Sequence, residues 1–264
     1  MFRTLEGAGM ARRLADSTSV RRHIVSGALT VLAALSFGHR VEAQSIGDLA
    51  AWDALMVTPA GALPPRAHDL LFGDSPRTEL SFQYGRWRYD VDDAIHNDFG
   101  VTVTRALSVA RTSISLTAAY LSLSCGTCAA WVSGGLEART QLITRRLTGD
   151  SSRDVRVSAG VVASGGAARF LGEGHATAGS IAGAASLGVA FPVSSSRVSL
   201  TVLPGVGIGR FSSVDQDAYG TRPMLGASAA CVLPWGMVAD LGIQRVYIDG
   251  GPTQVGLGLT WRTR

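Results

Sequence analysis

Residues 197–211 constrain this chain more than any other stretch. Val198, Leu200, Val202, Pro204, Val206 and Ile208 occupy every second position. Ser199, Thr201, Leu203, Gly205, Gly207 and Gly209 fill the places between. Residues 254–261 repeat the rule, with Val255, Leu257, Leu259 and Trp261 set against Gln254, Gly256, Gly258 and Thr260. Period-two alternation of this length is the signature of a strand. In a soluble half-buried strand the second face carries charge to water. Here that face is small and nearly uncharged, which suits the crowded interior of a narrow barrel. The apolar face then points outward into lipid, where every strand edge must be paired, and closure into a barrel is the solution.

The alternation recurs from residue 78 onward. It predicts strands near 78–89, 98–107, 111–123, 130–146, 154–164, 176–192, 196–211, 222–233, 236–249 and 253–262. The fold class is therefore all-β: an antiparallel up-and-down transmembrane barrel of about 10 strands, with 8 and 12 as the neighbouring even counts. Ile114, Leu116, Ala118 and Tyr120 oppose Ser113, Ser115, Thr117 and Ala119, and Ile181, Ala185, Leu187, Val189 and Phe191 oppose Ser180, Ala182, Ala184 and Ser186. Arg105 and Arg245 fall on the apolar face but near strand ends, within reach of lipid headgroups. Tyr84, Trp87, Tyr89, Phe191, Phe211, Trp235, Tyr247 and Trp261 also lie near strand ends, the positions of girdle aromatics.

Two segments precede the barrel. In residues 1–43, Arg21, Arg22 and His23 lead into the apolar run 24–37, which is too short to span a bilayer. Val41-Glu42-Ala43 follows with small residues at the −3 and −1 places, so 1–43 reads as a secretory signal cleaved before Gln44. This segment accounts for most of the formal charge of +4. It holds six Arg against Glu6, Asp16 and Glu42, leaving 18 basic and 17 acidic residues for the rest. No basic patch remains to bind nucleic acid. Residues 44–77 begin with Ile46, Leu49, Trp52, Leu55 and Met56 at helical spacing and continue through Pro59, Gly61, Pro64 and Pro65. They are expected to form a periplasmic helix and linker; a plug folding back into the barrel mouth is the alternative. Residues 78–264 form the barrel.

At its end the chain resembles Gram-negative outer-membrane β-barrel proteins. Gln254, Gly256, Leu259 and Trp261 match the polar-x-Gly-x-x-hydrophobic-x-aromatic β-signal of that family, although Arg262, Thr263 and Arg264 follow the aromatic where the family usually stops. The resemblance implies the cell outer membrane as destination and the barrel-assembly machinery, outer-membrane lipid and lipopolysaccharide as partners. It points to no subfamily and to no oligomeric state.

Candidate chemistry is sparse. Cys125-Gly126-Thr127-Cys128 lacks the further ligands a zinc site needs and the βαβ context of a thioredoxin-like site. A disulfide between Cys125 and Cys128 at a loop tip in an oxidising compartment is the expectation. Cys231 falls on the lipid face and acts as a small apolar residue. The run Gly205-Val206-Gly207-Ile208-Gly209-Arg210 opens no helix and is no nucleotide loop. Asp92, Asp93, His96 and Asp98 gather in the first outer loop, with His175, Asp215 and Asp217 in others. Solvated acidic loops, a divalent-ion site bridging lipopolysaccharide and a rim enzyme are the three readings of that cluster. Outer-membrane proteases of the omptin type use Asp and His at the rim, but their motifs have no residue-by-residue match here. No cofactor is implied.

Strand charges fall mainly on the small-residue face as a lumen cluster of Glu79, Glu137, Arg139, Arg156 and Asp240. Unpaired buried ions are costly, so these groups are expected to pair. The sequence thus points to a non-enzymatic outer-membrane barrel with a largely filled lumen and a structural or surface-interaction role. A rim hydrolase, protease or lipid-modifying, and a narrow pore for small solutes are its rivals.

Overall fold

The alternating faces close on themselves. The structure is a computed structural model, and it describes residues 54–59, 63, 77–88, 95–107, 111–123, 130–147, 154–172, 175–193, 196–215, 217–247 and 253–263. Ten strands follow in order: β1 Arg77–Arg88, β2 Ile95–Ala106, β3 Thr112–Leu123, β4 Trp131–Arg146, β5 Arg156–Phe170, β6 Thr177–Val193, β7 Ser196–Ser212, β8 Asp217–Val232, β9 Val238–Val246 and β10 Thr253–Thr263. Each pairs antiparallel with its sequence neighbours, and β10 returns to pair with β1, from Thr78 against Thr263 to Arg86 against Val255. The sheet has no free edge. The end of the barrel that carries Arg77 and Thr263 is called inner below, and the opposite end outer.

The faces are those the alternation predicts. Ile181 is 70% exposed and Leu116 62%, and Leu200, Val206, Ile208, Leu136 and Leu257 share this outward apolar belt. Ser199, Thr201, Leu203 and Gln254 are buried inward. Side-chain hydrogen bonds tie the inner face together between strands: Ser81 with Thr260 at 2.8 Å, Thr102 with Thr117 at 2.9 Å, and Thr104 with Ser115 at 2.9 Å. Small hydroxyls suit this position because each satisfies its neighbour within a narrow bore. A belt of large apolar side chains on a closed, edge-free sheet is the surface of a transmembrane barrel. No described helix is long and apolar enough to cross a membrane; the strands do so.

Several boundaries differ from expectation. β2 begins at Ile95, which moves His96 from a loop into a strand. β5 continues through Gly165, Gly166, Ala167 and Ala168 to Phe170, because backbone pairing with β4 and β6 needs no side chain. β8 begins at Asp217, where Asp217–Arg222 pairs with the end of β7. The bulge between Gln141 and Ile143 lets β4 carry one extra residue against β5. Trp87 and Phe211 are not girdle aromatics. Both share the inward face of their strands, and both pack inside the outer mouth. Trp261 and Trp235 point outward as expected.

In residues 44–77 the described positions 54–59 and 63 follow the plug alternative and not the periplasmic helix and linker; the remainder lies outside the described residues. The described part does not hang below the barrel. Residues 54–57 form one helical turn inside it, and Ala54, Leu55, Met56, Thr58 and Leu63 are all buried. Of the helically spaced residues Leu55 and Met56 are described, and both pack on the lumen wall; Ile46, Leu49 and Trp52 lie outside the described residues.

Candidate functional site

The lumen is built around this segment. Three of its side chains replace side chains the wall lacks. A Cβ on Gly207 of β7 would lie 2.6 Å from Leu55 Cδ2, and one on Gly100 of β2 would lie 2.5 Å from Leu63 Cδ1. Pro59 covers two strands at once, 3.1 Å from a Cβ on Gly135 and 2.9 Å from one on Gly166, residues that pair across β4 and β5. No Cβ fits at such separations unless its neighbour moves. Thr58 Oγ1 donates back to the carbonyls of Ala54 and Leu55, at 3.0 and 3.1 Å. Ser180 Oγ, 2.6 Å away on β6, then supplies the other proton.

The helical turn plugs the outer half. On one side Leu55 and Met56 cluster with Trp87 of β1, Val246 of β9 and Met224 of β8. On the other, Ala54 and Val57 cluster with Leu121, Trp131, Ala168 and Ala178 of β3 to β6, backed by Phe170 and Phe211. Trp131 meets these two rings at 5.3 and 6.1 Å in tilted geometry, as aromatic quadrupoles prefer.

Beside the plug stands a polar group that the sequence placed in a loop. Trp87 Nε1 donates to Asp98 Oδ2 at 3.1 Å, and Gln254 Nε2 donates to the same oxygen at 3.0 Å. The His96 ring stacks on Trp87, centroids 3.5 Å apart. Asp98 is fully buried, and neither its Oδ1 nor His96 Nδ1 has a hydrogen-bond partner. Asp98 is thus oriented by an indole and an amide and not by His96. The acid–base relay that a rim hydrolase needs is not formed by this pair. Asp92 and Asp93 lie outside the described residues. His175 is exposed, and Asp217 pairs with Arg210 at 2.8 Å on the exposed surface.

Below the plug lies a cavity of about 100 Å³, roofed by Pro59 and Leu63 and lined by Gln83, Thr102, Glu137, Arg139 and Gln244. Glu137 and Arg139 are 3.3 Å apart. The other expected charges are not brought into one cluster. Glu79 is paired with Arg77 deep in the inner end. Arg156 turns to Asp154, at 2.8 Å, where Arg197 joins at 3.0 Å and Arg146 at 3.7 Å. Asp240 is buried against Gly258. Of the outward arginines, Arg105 donates to Thr78 at 2.8 Å and Arg245 lies over the Tyr247 ring at 5.8 Å.

The pairing at the inner rim carries a pH signature. The Arg156 guanidinium bonded to Asp154 holds its carboxyl below the ordinary range, against the opposing effect of burial, and Arg146 and Arg197 add to the depression. A carboxyl lowered on folding stabilises the fold above its unfolded value, about 3.9, and that contribution is lost as pH falls through the depressed value. Denaturation midpoints of wild type and Asp154→Asn should therefore differ by a constant amount above that pH and converge below it. A gap that persists unchanged into strong acid would contradict the pairing.

Cys125 and Cys128 lie outside the described residues. Cys231 carries a free thiol, with Ser196 Oγ 3.4 Å away. Among the described residues no group of three His, Cys, Asp or Glu is arranged to hold a metal. Gln254, Gly256, Leu259 and Trp261 all lie on the closing strand β10, with Gln254 and Gly256 inward and Trp261 outward. The wall glycines were missed as a site. Their signal is position: Gly100, Gly135 and Gly207 fall on the inward face of the expected strands, whereas Gly166 lies past the expected end of its strand.

No protein-family model and no curated protein matches this chain. Among solved structures, it is similar to Ail, the attachment invasion locus protein of Yersinia pestis, at 13% identity and TM-score 0.31, covering 71% of this chain and 97% of that one. The N-terminal β-barrel domain of OprF from Pseudomonas aeruginosa matches at 12% identity and TM-score 0.30, covering 72% and 100%. The outer membrane enzyme PagL matches at 12% and 0.31, covering 69% and 97%. Likeness at this level says nothing of what this chain does. Its own closed, antiparallel, ten-stranded wall with an apolar belt has the architecture of outer-membrane barrels.

Proposed function

We propose that the protein is a closed scaffold of the outer membrane, structural or surface-interactive in role, and neither an open pore nor a hydrolase. One observation carries this reading: the bore holds the chain's own residues 54–59 and Leu63, with Leu55, Pro59 and Leu63 seated against glycines on four strands. In this account residues 1–43 direct export and are removed before Gln44. The β-signal Gln254, Gly256, Leu259 and Trp261 serves the assembly machinery, Cys125 and Cys128 are oxidised, and the apolar belt meets outer-membrane lipid and lipopolysaccharide. Pairing of Glu137 with Arg139 fits a filled lumen better than a hydrated ion path, because a buried charge is tolerated where its partner is present.

Purified protein in planar bilayers should show no steady conductance. Stable, cation-selective single-channel currents, altered by Glu137→Ala with the fold intact, would overturn the closed reading in favour of a narrow pore.

A further inference from the structure

The inner mouth of the barrel is cationic on one side. Arg146 at the end of β4, Arg156 at the start of β5 and Arg197 near the start of β7 bring their guanidinium groups to one carboxylate, Asp154. Arg156 Nε and Nη2 donate to Asp154 Oδ2 at 3.0 and 2.8 Å, and Arg197 Nη2 donates to the same oxygen at 3.0 Å. Arg146 Nε stands 3.7 Å from Oδ1, an ion pair longer than a hydrogen bond. Among the described residues no other acid pairs with these three arginines. Three guanidiniums against one carboxylate leave two positive charges uncompensated.

The fold holds this arrangement against its own repulsion. Arg146 and Arg156 are direct cross-strand partners, and like charges in that position destabilise a sheet. The bulge between Gln141 and Ile143 turns Arg146 to the same face as Arg156. Arg156 shares the face of the buried Gly160 and Val162, and Arg197 that of the buried Ser199 and Thr201. All three therefore face the bore and not the lipid belt. Opposite Arg156 and Arg197, the intervening β6 carries only Ala190 and Pro192, short enough for both forks to reach Asp154. A repulsive pair kept at a rim is a local conflict of the kind found at functional sites.

Each guanidinium has five N–H donors, and the carboxylate takes only three from the whole set. The arginines are also more open to solvent than the acid: the side chains of Arg146 and Arg197 are 70% and 26% exposed, that of Asp154 12%. We propose that Arg146, Arg156 and Arg197 form a binding site for a phosphate monoester at the inner mouth. Such a group carries close to two negative charges at neutral pH and three acceptor oxygens, which match the excess charge and the three forks. Because the cluster faces the bore, its ligand is a water-soluble phosphate and not a bilayer headgroup. Asp154 gathers the guanidiniums beforehand, so less side-chain freedom is lost on binding.

Calorimetric titration of the detergent-solubilised protein with glycerol 3-phosphate at neutral pH tests this, with sodium acetate at equal ionic strength as the comparison. Glycerol 3-phosphate should bind at a single site, and acetate should not bind measurably. Arg197→Gln should weaken binding about tenfold or more, the loss expected for a hydrogen bond to a charged group. Arg105→Gln, on the outward face, should leave it unchanged. Heat-dependent gel mobility reports that each variant is folded; should Arg197→Gln fail to fold, Arg146→Gln is read in its place. Absence of binding by the wild type overturns the proposal. So does equal binding of acetate, which marks plain counterion attraction, or an equal loss in Arg105→Gln. If phosphatidylglycerol in mixed micelles displaces glycerol 3-phosphate, the ligand is a headgroup and the soluble assignment is wrong.

Discussion

Leu200→Arg should cost the folded barrel roughly 2–4 kcal/mol, the penalty of an arginine near the bilayer midplane on the lipid face. Leu200 sits inside β7 on the outward belt, flanked by the buried Ser199 and Thr201. The guanidinium would enter the lipid-facing belt, where no partner for it is at hand. Trp235, 91% exposed in the inner turn Pro234–Gly236, gives the control, since Arg near the interface costs about 0–1 kcal/mol. Reversible denaturant titration in lipid vesicles measures both. If the two substitutions shift the midpoint equally, Leu200 does not face lipid and the belt has been assigned to the wrong medium.

Leu55→Ala should cost about 2–5 kcal/mol, the range for emptying a fully buried leucine site. The removed atoms fill a notch that Gly207 leaves in β7, and Met224 Sδ is the other atom at that notch. Gly207→Ala alone should also destabilise, because the added Cβ meets Leu55 Cδ2 and Met224 Sδ. In the double variant the new methyl enters the space Leu55 vacated, so the combined cost should fall below the sum of the single ones. An unchanged midpoint for Leu55→Ala would mean that the segment is not held in the bore of the folded protein.

The wall of this molecule is legible in its sequence because alternation reports a face directly. Leu116 against Ser115, or Leu200 against Ser199, assigns inside and outside without knowledge of any partner. The strand ends are less legible where side chains are missing or polar. Gly165-Gly166-Ala167-Ala168 pairs through backbone alone, and Asp217–Thr221 pairs although its composition is that of a loop. The charges were readable as facing inward but not as partners. The structure pairs Arg77 with Glu79, Glu137 with Arg139 and Asp154 with Arg156, each two residues apart on one face, so the local pairs were there to be read. Arg197 with Asp154, or Gln254 with Asp98, depends on strand neighbours that only barrel closure supplies. The plug was hardest to see. An apolar helical stripe says that it seeks a surface, and here that surface is a set of absences: glycines on four strands.

Those glycines also bear on how the protein can fold. Leu55 comes before every strand, while Gly207 belongs to the seventh, so most of the barrel must be synthesised before the seat exists. Contacts so far apart in sequence form late and slowly, because loop-closure entropy is lost before they give anything back. Once β10 has zipped to β1, the peg can reach its seat among Trp87, Trp131 and Phe211 only lengthwise, through an open end of the finished hoop. The lower-barrier order is the reverse: the curling sheet gathers around a segment already lying along its inner face, and the β1–β10 seam locks it in.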